Sequence, residues 1–375
     1  MPGPSFTRDL QDAGFGLDAR FDSRRRFLAA VAGAATCSFV SPAVAFAPTT
    51  AQASAHAQDW QWLVGSWDVW HRRLKDRLAG SDDWEEFPGK SAFWQTMGGL
   101  GNVDDNIVDI PSGTYRGLSV RAFDPVAGTW AIWWLDGRNP THIDPPVRGA
   151  FKGEHAEFVG RDTFKDRPIV MRFRWHDVHG ARPWWEQAFS PDDGKSWEVN
   201  WRNYFTRTSP QPHALPKLAD APKDFDFLVG RWKVSHRRLR ERLVGSDQWD
   251  EFGGTLVNWP VLGGKGNVGD NVMMEFPSGT VRGVGLRSFD EASRQSSSWW
   301  LDGRTPTDIA APVRGGFEGD VGTFIGDDTV AGRPVKTRVT WSRITPTSAR
   351  WEQSSSADSG KTWESNWVSD FVRAG

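Results

Sequence analysis

From Asp59 onward the apolar residues fall in short runs, and turn chemistry breaks them at regular intervals. Turn signals stand at Pro111-Ser112-Gly113, Asp124-Pro125-Val126-Ala127-Gly128, Asp166-Arg167-Pro168 and Asp192-Asp193-Gly194. Between them lie runs rich in β-branched and aromatic residues: Tyr115–Phe123, Trp130–Leu135, Val147–Phe151, Pro168–Trp175, Trp184–Phe189 and Trp197–Phe205. This spacing, over about 150 residues, predicts an antiparallel sandwich or closed barrel of about ten strands. An earlier strand begins at Gly65-Ser66-Trp67. Counting by two places Trp67, Val69, His71 and Arg73 on one of its faces. One stretch, Arg72–Leu78, reads as helical, as does its counterpart Arg237–Leu243.

The pattern then repeats. Residues 59–207 and 224–373 match at about half their positions, with Leu63-Val64-Gly65-Ser66-Trp67 returning as Leu228-Val229-Gly230-Arg231-Trp232. A repeat of domain size means two tandem domains, not a solenoid, and two such domains in one chain are expected to pack on each other. Residues 208–223 carry Pro210, Pro212, Pro216 and Pro222 and read as a semi-extended linker.

Residues 1–45 have the layout of an export signal. Ser23-Arg24-Arg25-Arg26-Phe27-Leu28 opens an Ala/Val-rich stretch and resembles a twin-arginine signal, with a small-residue cleavage pattern at Ala43-Val44-Ala45. The apolar run is too short for a comfortable bilayer span, so no stable membrane insertion is expected after cleavage. The expected location is periplasmic or secreted. Residues 46–58 read as a flexible leader. Cleavage would remove the single cysteine, Cys37, and with it every disulfide, thiolate-metal and cysteine-nucleophile chemistry.

Composition narrows the function classes. The net charge of −2 becomes −3 once residues 1–45, with five arginines and four aspartates, are gone, so there is no basic footprint for nucleic acid. Aromatic usage is lopsided, with 23 Trp and 23 Phe against 2 Tyr. Most of these tryptophans are expected to fill cores or plug barrel ends, leaving some faces to line a ligand pocket.

The Gly-x-Trp near the start of each repeat and the arginine closing each last strand, Arg207 and Arg373, resemble the lipocalin and wider calycin pattern. The paired Trp-Leu-Asp-Gly-Arg and Trp-Glu-x-Asn-Trp stretches are similar to those of an uncharacterised bacterial calycin-like family. The resemblance implies an all-β chain of two tandem antiparallel calycin-like barrels, with each Trp as a plug and the late Arg stacked across it. It also implies a small hydrophobic ligand in the barrel. Ser190–Trp197 and Ser356–Trp363 resemble the Asp-box of sialidase-type propellers. One box per domain, where a propeller repeats it blade by blade, points to a local hairpin device.

The candidate site residues are those that recur in both copies. His71 and His236 share the inward face with the plug tryptophans, as base, ligand anchor or haem ligand; Arg73 and Arg238 follow on the same face. Asp136-Gly137-Arg138 and Asp302-Gly303-Arg304 follow a Trp-Trp-Leu run and are expected at the barrel mouth, where an arginine can clamp an anionic group. Arg116, Arg282, Glu186 and Glu352 complete the set. No cofactor is expected. Haem is the one candidate, weakened because haem-binding calycins place their proximal histidine late in the domain. No metal site is expected either: His176-Asp177-Val178-His179 is not repeated, since Ser342 and Thr345 replace the histidines.

The leading reading is an exported protein binding a small hydrophobic or aromatic, potentially anionic, molecule in each barrel. The competing one is a secreted enzyme acting on a glycan or small hydrophobe, pairing His71 or His236 with Glu86 or Asp136 as acid and base. A third makes one barrel a structural partner of the other. The changes of Trp70 to Ser235, Trp130 to Ser296 and Trp184 to Arg350 imply that the second copy differs in its cavity or its outer face.

Overall fold

In the computed structural model, which describes residues 55–374, the chain forms two closed antiparallel ten-stranded barrels. The signal segment lies outside the described residues, as does the leader up to residue 54. The first barrel comprises β1 (Gly65–Leu74), β2 (Trp84–Thr96), β3 (Gly101–Ile110), β4 (Gly113–Asp124), β5 (Thr129–Asp136), β6 (Val147–Lys152), β7 (His155–Phe164), β8 (Arg167–His176), β9 (Trp184–Ser190) and β10 (Glu198–Ser209). The second comprises β11 (Gly230–Leu239), β12 (Trp249–Val261), β13 (Gly266–Met273), β14 (Val281–Asp290), β15 (Gln295–Asp302), β16 (Val313–Glu318), β17 (Val321–Val330), β18 (Arg333–Ser342), β19 (Ser348–Ser356) and β20 (Glu364–Arg373). Each is an up-and-down meander closed by pairing of first and last strands, so no free sheet edge remains.

The helix expected at Arg72–Leu78 does not form. Arg72, Arg73 and Leu74 continue β1, held in register by Glu86, Glu85 and Trp84 of β2, and the segment beyond Leu74 is a turn with Leu78 in the left-handed region (φ 54°). Leu243 does the same in the second copy (φ 63°). Cross-strand pairing outweighs a local helical pattern too short to nucleate on its own. The last leader residues are packed, not free: His56 stacks on Phe123 at 4.2 Å, and the Ala57 carbonyl accepts a bond from Gln95 at 2.9 Å.

The plugs are built as the calycin resemblance implies. In the first barrel the Trp67 indole donates to the Leu63 carbonyl at 2.8 Å, and the Arg207 guanidinium lies 4.0 Å from its ring centre. Arg207 also donates to the carbonyls of Val64 and Trp62, tying the last strand to the turn before the first. In the second barrel Trp232, Leu228 and Arg373 repeat this, with the guanidinium at 4.3 Å. Gly65 and Gly230 are required here. Both have φ above +120°, and a Cβ at either would sit 2.6 Å from the closing arginine.

The barrels pack through the outer faces of β3, β4, β5 and their counterparts. Leu118, Val120 and Ala122 of β4 join Val268, Leu286 and Leu301 in one apolar cluster, so β4 is buried on both faces. The contact is nearly two-fold symmetric. The Met97 amide donates to Asp270 and the Leu262 amide to Asp105, both at 2.9 Å. Arg148 reaches the Thr307 carbonyl while Arg314 reaches that of Thr141. Trp94 and Trp259 meet at 5.6 Å. This is the self-complementary geometry of a homodimer, held within one chain.

Candidate functional site

Both barrels have an internal cavity, and the two differ in size and charge. The cavity of the first measures about 110 Å³ and that of the second about 730 Å³. The difference follows from substitutions at equivalent inward positions. Ile132, Met171 and Phe173 of the first barrel correspond to Ser298, Thr337 and Val339 of the second, and Ser119 to Gly285. Only the second falls in the range of ordinary small-molecule sites, roughly 300–1,000 Å³.

His71 and His236 do face the interiors, as the alternation along the first strand requires. Both are enclosed by aromatic rings. His71 stacks on Phe87 at 5.0 Å with Trp201 edge-on, and its Nδ1 lies 2.6 Å from Asn203 Oδ1. Its Nε2 is buried without a partner against Gly89, where a Cβ would come within 2.5 Å of it. His236 stacks on Phe252 at 4.8 Å and meets Ser369 Oγ at 2.8 Å. Burial pushes both imidazoles down to about 4, so both are neutral at ordinary pH. Among the described residues, neither has a carboxylate within ion-pair distance. Glu86 lies on the outside with Arg72 and Trp70, and Asp136 is held by Arg138.

The remaining predicted residues divide by location. Asp136 accepts the Arg138 amide, Nε and Nη2, a closed local clamp, and Arg138 stacks on Tyr115 at 3.7 Å. Asp302 and Arg304 form the same clamp at the wall of the larger cavity. Arg73 is buried against Glu85 and over Trp201, whereas Arg238 lines the second cavity without such a carboxylate. Glu186 points outward toward His176 and Arg202, because its neighbour Gln187 takes the inward position; Glu352 alternates with Gln353 in the same way. Arg116 and Arg282 lie where the barrels meet. Arg116 donates to the Pro216 carbonyl of the linker, and Arg282 lies beside Gly98 of the other barrel. Five of the twelve therefore border a cavity: His71 in the first, and His236, Arg238, Asp302 and Arg304 in the second.

The inward arginine of β4 and β14 was not among the predicted residues. In the first barrel Arg121 lies 4.8 Å from the ring centre of Trp60 and donates to Asn102 (2.8 Å) and Asp104 (2.7 Å). Asp104 also accepts from the Asn106 amide and the Ser119 backbone, so its carboxylate gathers three donors and neutralises the buried guanidinium, whose Nε alone is left without a partner. In the second barrel the position of Asp104 is Gly269. Arg287 lies over Phe225 at 5.0 Å, keeps the bond to Asn267 at 2.9 Å, and has no carboxylate partner among the described residues. The available signal was an arginine inside an apolar run in both copies, with an aspartate opposite it in only one.

The Asp-boxes are turns. Asp192 accepts from the Ser190 and Ser196 hydroxyls and the Ser196 amide, which hold its carboxyl down to about 2, and Trp197 covers the turn by donating to Gly194. Asp358 and Trp363 repeat the device between β19 and β20. The Trp-Glu-x-Asn-Trp stretch begins at the end of this turn. It places buried Asn200 at a register shift in β10, where Gln187 donates to it at 2.9 Å.

No protein-family model matches the chain, and no curated protein matches it significantly. Among solved structures it is similar to a protein of unknown function of the DUF3598 family from Nostoc punctiforme, at 10% identity over 85% of this chain and 99% of that one (TM-score 0.23). It is also similar to transferrin-binding protein B from Haemophilus parasuis, at 7% identity over 82% of this chain and 75% of that one (TM-score 0.19). Likeness at this level carries no functional argument. Among the described residues no helix is long and apolar enough to cross a membrane.

Proposed function

We propose that this protein is a binding protein for a small apolar or aromatic molecule, held in the second barrel. The observation that carries the reading is the contrast between a cavity of about 730 Å³ and its nearly filled homologue of about 110 Å³ on the same fold. The larger cavity is walled by Trp300, Trp341, Trp351 and Trp367, which offer flat apolar surface. The expectation of one site per barrel becomes a single site per chain, with the first barrel as a packed structural partner. The acid–base alternative loses support from the histidines, which are neutral and ring-enclosed and, among the described residues, have no carboxylate within ion-pair distance. Export to the periplasm or medium remains part of the proposal and rests on Ser23–Leu28 and the apolar stretch after it. Fractionation of cells expressing the full chain checks it.

Binding is tested by titrating the folded protein with 8-anilinonaphthalene-1-sulfonate and a panel of neutral and acidic aromatics, following tryptophan fluorescence. The reading expects saturable quenching with one site per chain. Silence across the panel would remove it.

A further inference from the structure

The interior of the second barrel contains an uncompensated buried cation. In the first barrel, Asp104 fills the space between β3 and β4 and gathers three donors: Arg121 Nη2, the Asn106 side-chain amide and the Ser119 backbone amide. The counterparts of these four residues, Gly269, Asn271, Gly285 and Arg287, all border the larger cavity. The glycine has removed the acceptor while the donors remain. Asn271 turns to the Gly269 carbonyl at 2.9 Å, and among the described residues Arg287 makes a single hydrogen bond, through Nη1, where Arg121 makes two; the Nε of both arginines is buried without a partner.

Arg287 is enclosed by protein yet retains accessible surface, as a group facing an internal cavity does. Burial alone pulls its guanidinium down to about 10, with no neighbouring carboxylate to oppose the effect. A second imbalance lies toward the other end of the barrel. Arg73 is paired with Glu85, but the equivalent Asp250 is bonded to Arg240, leaving Arg238 with aromatic contacts to Phe276 and Trp367. A buried charge without a partner is costly, and a ligand able to supply the missing charge gains what the folded protein lacks.

We propose that the second barrel takes an apolar or aromatic carboxylic acid, its carboxylate seated at the plugged end against Arg287 and Asn271, in the space that the Asp104 side chain occupies in the first barrel. The inference rests on the binding reading above and adds the chemical class and the orientation of the ligand. The space vacated is that of one carboxylate, and it offers one guanidinium, so a planar monoanion fits it better than a phosphate dianion. The apolar remainder of the ligand lies along the tryptophan walls toward Arg238 and Arg304.

The test uses acid–amide pairs of equal shape, decanoate with decanamide and 2-naphthoate with 2-naphthamide, titrated calorimetrically into the whole chain at pH 7.5. At least one acid is expected to bind ten-fold or more tightly than its amide. Arg287→Met is expected to abolish that preference and leave amide binding within about three-fold. Gly269→Asp combined with Leu256→Ser copies Asp104 and Ser91 of the first barrel, and clears the Leu256 methyl that a new Cβ at 269 would meet at 2.8 Å. This double variant is expected to lose acid binding while melting at a higher temperature than Leu256→Ser alone, a readout that needs no ligand and sets aside the loss of a buried leucine. Equal affinity for acid and amide, or full acid affinity in Arg287→Met, would overturn the inference and leave the binding reading standing. If no acid or amide binds at all, both fall.

Discussion

The two barrels share their strand order, plug and turn devices, and they differ in what fills the middle. The first is packed and internally neutralised, with Arg121 bonded to Asp104 and the interior taken up by Ile132, Met171 and Phe173. The second has the same walls with smaller side chains and an arginine lacking its aspartate. A duplicated barrel can therefore divide its tasks. The plug, the closing arginine and the paired outer faces define the fold, and they recur in both copies. The inward positions midway along the strands can change without disturbing that frame, and it is there that the copies diverge.

The largest effects should come from what the barrels share. Trp67→Ala and Trp232→Ala each remove a fully buried plug and the surface on which an arginine stacks. Each is expected to cost about 3–5 kcal/mol by chemical denaturation. A loss in only one of them would break the equivalence. A comparable cost is expected from Asp104→Ala, about 3–5 kcal/mol, because Arg121 would be left buried and unpaired. The second barrel already lives with that arrangement, so Arg287→Met should cost little or even stabilise. If Asp104→Ala proves neutral, the claim that the first barrel depends on its internal ion pair fails.

A smaller, pH-dependent contrast concerns Asp144, whose counterpart is Ala310. Burial, with Asp162 and Asp136 nearby, pushes its carboxyl up to about 8, far above the usual value near 3.9. The folded protein then holds a proton that the unfolded chain has released. Stability from this group is greatest below pH 4 and is lost as pH rises toward 8. Asp144→Asn should leave the melting temperature unchanged near pH 4 and raise it progressively above, by a few kcal/mol equivalent at pH 8. A gain larger at acid pH would contradict the sign. The smallest effect expected is from the exposed Lys90–Asp68 pair. Lys90→Ala should change stability by no more than about 0.5 kcal/mol.

Much of the fold was legible because most strands obey a period of two between turn residues. Six of the ten strands of the first barrel fall on the runs read from the sequence, and a seventh on Trp67–Arg73. The strands without such a run, β2, β3 and β7, have physical reasons for their silence. β2 carries Pro88 and Gly89, the glycine needed because His71 lies against it. β3 reads as polar because Asp104 faces an internal ion pair while Asp105 caps the other barrel's turn. β7 is interrupted by Gly160 and Asp162. The site was less legible. Identity between the copies drew attention to Arg116 and Arg282, which recur because the interface is symmetric, and to Asp136–Arg138, which recurs because it is a turn clamp. The informative signal was a difference, Asp104 against Gly269, and its meaning depends on knowing that Arg121 and Arg287 point inward.

The central claim, that the second barrel binds and the first does not, is tested most directly by transplanting the packing of one into the other. Ser298→Ile with Val339→Phe places the side chains of Ile132 and Phe173 in the larger cavity. Calorimetric titration of a bound aromatic or aliphatic acid should give one site per chain in the parent and none in this variant, with the fold intact by circular dichroism. Two equivalent sites in the parent, or an undiminished site in the variant, would contradict the account.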